Sequence, residues 1–172
     1  MAADAQRTLR GALAGIAAAA AWAAQQPLDK RIFGSDYDDV QLLGRLLVDG
    51  PAAYPVGAAL HLANGALFGA LYANVAPSLA GPPWLRGPLA GLSEHLATWP
   101  ALVVVPRLHE TGRAWRPRRA FAQATWRHLL FGTVLGELER RLNPPSDAPP
   151  PVDPAAAASN GHGSAEHLVG TV

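Results

Sequence analysis

The chain alternates long runs without charge and short connectors that hold most of it. No Asp, Glu, Lys or Arg falls between positions 11 and 28, or between 50 and 85. Residues 87–106 carry Glu94 alone, and residues 120–136 carry Arg127 alone. A helix needs about 20 mostly apolar residues to cross the hydrocarbon core of a bilayer. Four windows meet that length, at about 9–28, 54–77, 87–106 and 120–138. A soluble amphipathic helix shows charges on one face at every turn, and these windows lack such a face all the way round. The pattern predicts an all-α protein, a four-helix transmembrane bundle over residues 1–142. The first window is the weakest, because Ala inserts only marginally. It also has the outline of a signal peptide, with Arg7 and Arg10 ahead of an apolar stretch and Ala21-Trp22-Ala23 as a cleavage signature. Its Gly/Ala-rich region runs on past that site, which favours a retained span.

The connectors differ in character. Residues 29–49 hold eight charged side chains, with Val40, Leu43, Leu46 and Leu47 at helical spacing among them. That spacing predicts a short amphipathic helix on the membrane surface; a loop helix packed on the bundle is the competing reading. Gly81-Pro82-Pro83 enforces a turn in the second connector, 78–86. The third, 107–119, contains five Arg. Residues 143–172 are rich in Pro, Ala, Ser and Gly, which predicts a disordered tail where His162 and His167 are solvated and bind no metal. With four spans, the two longer connectors share a side and carry eight Lys and Arg against five on the other. That count places these connectors in the cytoplasm, whereas the Arg pair before the first span argues the reverse.

Composition narrows the chemistry. The net charge of +1 and the 16% of charged residues offer nucleic acid no basic surface. With no Cys among 172 residues there is no disulfide scaffold, thiolate metal site or thiol nucleophile. No metalloprotease helix, phosphate-binding Gly loop or Ser nucleophile elbow is present either, so an enzyme is not expected.

What remains lies inside the windows. Each contains a Gly-xxx-Gly pair: Gly11/Gly15, Gly65/Gly69, Gly87/Gly91 and Gly132/Gly136. In lipid, close backbone approach replaces hydrophobic burial as the force that joins helices, so Gly15, Gly65, Gly91 and Gly132 are expected at helix contacts. Polar residues follow the same faces at 100° per residue. His61 and Asn64 lie beside Gly65, Glu94 and His95 beside Gly91, and His128 beside Gly132; Trp22, Gln25 and Asp29 continue the stripe of Gly11 and Gly15. Asn64, Glu94, His95 and His128 fall within about two residues of their window midpoints, and His61 about 6 Å away at 1.5 Å per residue. Ionisable groups at that depth are costly and are functional candidates by default. His61, Asn64, Glu94, His95 and His128 are therefore the expected polar core. Four roles compete: interhelical hydrogen bonding alone, a proton relay, a metal site for Zn, Fe or Mn, and haem ligation by paired His. No cofactor is required. Arg127, about 100° from His128, has no carboxylate on its own face, which leaves Glu94 as its expected partner.

The order of motifs resembles the YagU-like family of small bacterial inner-membrane proteins. The resemblance rests on Gly11-Ala12-Leu13-Ala14-Gly15 ending at Pro27, and on His61 leading to Phe68-Gly69, Tyr72 and Pro77. It continues through Gly87, Gly91, His95 and Pro100 to His128, with Glu137, Glu139, Arg140 and Arg141 closing the helix. It covers roughly residues 9–142, and the chain departs from it in a shorter first connector and a long Pro/Ala tail. The resemblance implies a membrane bundle, singles out His61, His95 and His128, and carries a link to acid tolerance but no biochemical activity. The expected function is a multi-pass cell-membrane protein, structural or involved in assembly, in contact with lipid and with a second copy or a membrane-protein partner. The alternative is a small proton-, ion- or metal-handling protein built on the His/Glu cluster.

Overall fold

Helix signals in the sequence act where they stand. In the computed structural model, which describes residues 4–104 and 117–144, every regular element is helical. Asp4 caps α1 (Ala5–Phe33): its carboxylate accepts from the backbone N–H groups of Gln6 and Arg7 at 2.9 and 3.3 Å. Twenty-nine residues make α1 about 43 Å long. It stops at Gly34, whose φ of 56° lies in the left-handed region that favours glycine, and Lys30 and Arg31 sit at the negative end of the helix dipole. Asp38 caps α2 (Asp39–Arg45) by accepting from Gln41 N–H at 2.9 Å. Single 3-10 turns at Gly50–Ala52 and Ala76–Ser78 flank α3 (Ala53–Val75). The helices α4 (Pro83–Val104) and α5 (Pro117–Leu142) both begin on proline, which lacks the N–H that a first helical turn leaves unpaired.

The four long helices lie in the order α3, α1, α5, α4, each antiparallel to its neighbour, with α4 packed chiefly on α5. Glycine makes these approaches close. A Cβ on Gly15 would overlap the carbonyl oxygen of Gly65, one on Gly91 that of His128, and one on Gly132 that of Gly87; a Cβ on Gly65 would run into Ala19. Ala14, Ala18, Ala19, Ala73 and Ala124 fill the rest of these seams and are buried.

The windows expected to span the membrane fall on α1, α3, α4 and α5, and 54–77 runs two residues into the 3-10 turn after α3. One helical stretch among the described residues, Gly50–Ser78, is long and apolar enough to cross a membrane. Four such spans are therefore not established by length and apolarity alone. Residues 105–116 and 145–172, which hold the end of the third window, most of the third connector and the tail with His162 and His167, lie outside the described residues.

The connector helix differs from the expected surface helix. It ends at Arg45, so Leu46 and Leu47 lie beyond it and are exposed, while Val40 and Leu42 are buried. The reason is a backbone contact: a Cβ on Gly44 would strike the carbonyl of Ala53, and one on Gly57 would strike that of Val40. The helix is thus docked flat on α3.

Replacing Gly91 or Gly132 with Leu forces α4 and α5 apart. Each is expected to cost at least about 1–3 kcal/mol of stability, the range for overpacking. Ala20→Leu, on an exposed position of α1, should leave the thermal midpoint in detergent nearly unchanged.

Candidate functional site

Arg127 of α5 has no exposed surface, and all three nitrogens of its guanidinium are engaged. Nε and Nη2 donate to the two oxygens of Asp29 on α1 at 2.6 and 2.7 Å, Nη1 donates to Asp39 on α2 at 3.0 Å, and Nη2 also reaches the Tyr37 carbonyl at 3.2 Å. The ring of Tyr37 lies 5.7 Å from the guanidinium carbon. Burial, reinforced by the Asp39 carboxylate, pushes the Tyr37 hydroxyl far above its ordinary pKa and keeps it protonated. Gln123 and Gln25 donate to Asp29 at 2.6 Å each, and Gln26 donates to Asp39 at 2.8 Å. This network joins α1, the first connector, α2 and α5. It replaces the expected Arg127–Glu94 pair, because Asp29 lies across the α1–α5 seam at the same level.

Glu94 is left to His128. The Nδ1 of His128 lies 2.7 Å from the Ala124 carbonyl. A carbonyl only accepts, so Nδ1 carries a hydrogen. Nε2 then faces Glu94 Oε2 at 3.1 Å, within ion-pair distance. The ring of His95 lies 4.7 Å from that of His128, and its Nε2 meets the Thr125 hydroxyl at 3.0 Å. That hydroxyl already donates to the Phe121 carbonyl at 2.8 Å, so the His95 Nε2–H donates to it. His95 Nδ1 is buried without a hydrogen bond, as is Gln123 Oε1.

His61 stands apart. Its Nε2 donates to the Ala19 carbonyl at 3.2 Å, and the indole of Trp22 separates it from His128, with ring centroids 5.1 Å from His61 and 4.5 Å from His128. Asn64 is exposed, not part of a closed polar core. The five expected residues therefore resolve into a contact group of Glu94, His95 and His128, with His61 and Asn64 across Trp22. Among the described residues no group of three or more His, Asp or Glu is arranged to hold a metal ion. The rings of His95 and His128 touch, which leaves no haem plane between them.

Four of the five meet at a cavity. Because α3 packs on α1 while α4 packs on α5, a space of about 450 Å³ remains between α3 and α4. His61, Asn64, Glu94 and His128 line it with Trp22 and Phe131, and α2 closes one end through Leu42, Leu43 and Leu46. His95, buried behind His128, is not part of the wall. No protein-family model, curated protein or solved structure matches the chain, so the likeness to the YagU-like family rests on its motifs alone.

Two substitutions separate lock from site. Arg127→Leu strands Asp29 in the interior and should cost about 3–5 kcal/mol by thermal unfolding in detergent, with much of the loss recovered in Asp29→Leu/Arg127→Leu. Glu94→Gln keeps a hydrogen-bonding group opposite His128 Nε2 and should be near neutral. Glu94→Leu leaves that nitrogen without a partner and should cost about 1–3 kcal/mol.

Proposed function

We propose that the chain is a multi-pass integral membrane protein in which α1, α3, α4 and α5 cross the bilayer. In this reading the bundle is a structural or assembly component with lipid and a membrane-protein partner or second copy as its neighbours. The observation that carries the proposal is the inversion of polarity between inside and outside. Asp29, Gln26, His95, Gln123 and Arg127 are buried, while Leu9, Leu13, Leu67, Leu71, Leu89 and Leu96 are each more than half exposed. Only 33% of the apolar window within Gly50–Ser78 is buried inside the protein. A core helix of a soluble domain would be mostly covered, whereas a helix facing hydrocarbon need not be. Inward-facing, mutually paired charges are the arrangement a bilayer tolerates. The motif resemblance to the YagU-like family agrees with this reading.

A second reading, proton handling, is favoured by one observation: Glu94 Oε2 lies 3.1 Å from His128 Nε2 in the wall of an open cavity. It agrees with the acid-tolerance link that the resemblance implies. Neither reading assigns a reaction.

The absence of cysteine makes the membrane reading directly testable. Asp49→Cys and Ser78→Cys, at opposite ends of α3, should react with a membrane-impermeant maleimide from opposite faces of sealed vesicles. The protein itself should stay in the membrane pellet through an alkaline wash. Recovery in the soluble fraction without detergent, or labelling of both positions from one face, overturns the four-span reading.

A further inference from the structure

The cavity between α3 and α4 holds two carboxylates that the protein only half occupies. Asp39, at the start of α2, and Glu94 of α4 both line it. On Asp39, the guanidinium of Arg127, the amide of Gln26, the indole N–H of Trp22 and the backbone N–H of Val40 all reach Oδ1. On Glu94, His128 reaches Oε2. Asp39 Oδ2 and Glu94 Oε1 have no hydrogen-bond partner among the described residues. Neither side chain is sealed off, with 15% of Asp39 and 25% of Glu94 still exposed.

These carboxylates outnumber the cations that face them. Arg127 divides its guanidinium between Asp29 and Asp39, and Lys30 is taken by Asp38. Three carboxylates, Asp29, Asp39 and Glu94, therefore stand against one guanidinium. A neutral His128 leaves an excess of two negative charges, and a protonated one leaves an excess of one. Both His128 and His61 would have to take a second proton to cancel it. No Lys or Arg lines the cavity. Arg86 stands about 12 Å further along α4, in the wall of a neighbouring space that shares Phe68 and Glu94 with this one.

The rest of the wall suits the same charge. Trp22, Tyr37, Phe68 and Phe131 line the cavity together with the two carboxylates, and aromatic faces attract cations. Its volume of about 450 Å³ lies within the range of small-molecule pockets, roughly 300–1,000 Å³. A metal ion asks for four or more ligand atoms, and among the described residues no group of three or more His, Asp or Glu is arranged to supply them. An anion would meet unpartnered carboxylate oxygens. An uncharged molecule would leave the excess charge uncompensated in apolar surroundings.

We propose that this cavity binds a hydrophobic organic cation, a quaternary ammonium or phosphonium bearing apolar groups, with its charge facing Asp39 and Glu94 and its apolar groups against the rings. The cavity and its charge are the same whether or not the four long helices cross a bilayer, so this inference stands apart from the membrane reading.

The test uses the full chain, purified in detergent, and equilibrium dialysis of tetraphenylphosphonium against matching empty micelles. Tetraphenylborate, of the same shape and the opposite charge, is dialysed separately. Tetraphenylphosphonium should bind saturably at one site per chain, and tetraphenylborate should show no binding above the micelles. Glu94→Gln removes one negative charge at nearly constant volume, and Thr98→Phe fills the cavity from its wall. Each should weaken tetraphenylphosphonium binding by roughly tenfold or more, the scale of one lost short-range ionic contact or a steric block. The thermal midpoint without ligand checks that each variant is folded, and if one fails to fold the other decides. Non-saturable uptake, equal binding of tetraphenylborate, or an unchanged affinity in a folded variant overturns the proposal.

Discussion

A guanidinium with no exposed surface must find its counter-charges inside the protein, and the placement of half the fold follows from how Arg127 does so. Two oxygens of Asp29 take the fork of the guanidinium side-on, and Asp39 takes the remaining nitrogen. To deliver those carboxylates, α1 must extend past its apolar window to residue 29 at the level of residue 127. The first connector must then fold back so that Asp39 arrives from the opposite direction. Gly34 makes the reversal and Asp38 starts the returning helix. At the far end a smaller clasp, Arg7 with Glu139, fixes the same pair of helices. The α1–α5 register is thus pinned by charge at both ends, with small residues between.

Small residues and charges solve different parts of one problem. Where the surrounding medium is apolar, burial of side chains gives helices little reason to associate, and close contact between backbones has to provide it. Glycine permits that contact in two separate pairs, α1 with α3 and α5 with α4. Trp22, wedged between His61 and His128, and Phe131 occupy the middle. The two tight pairs are joined through α1 and α5, and α3 and α4 make little contact with each other. The cavity lies in that gap, lined by His61, Asn64, Glu94 and His128.

The windows, the glycine pairs and the convergence of Glu94, His95 and His128 were legible in the sequence, because each depends on helical periodicity within a single element. The Arg127 network was not, since its partners lie 98 and 88 positions away, and Asp39 reads as an ordinary charge in a polar connector. A signal was nonetheless present. Arg127 is the one charge in its window, and Asp29 ends the stripe of Gly11 and Gly15 on α1. A charge that must be buried and a carboxylate on a packing face are natural partners. The connector helix was misjudged for a related reason. Val40, Leu43, Leu46 and Leu47 have amphipathic spacing, but Gly44 among them marks a backbone contact with α3 and ends the resemblance to a surface helix. The separation of His61 from His128 by Trp22 depends on the width of an indole, which no spacing rule encodes.

The two polar clusters differ in what they leave open. In the Arg127 network all three guanidinium nitrogens and both Asp29 oxygens are engaged, and displacing Asp29 or Arg127 would strand a charge in low dielectric. Such a network holds a fold and does little else. The Glu94–His128 pair brings two titratable groups to 3.1 Å of each other, in the wall of a cavity. Interhelical adhesion requires none of these properties, and α4 and α5 are already joined by the Gly87, Gly91 and Gly132 contacts. A pair of titratable groups in the wall of an open cavity is placed where a small molecule can meet it, and that is the physical ground for seeking this protein's function at α3–α4 and not at its buried arginine.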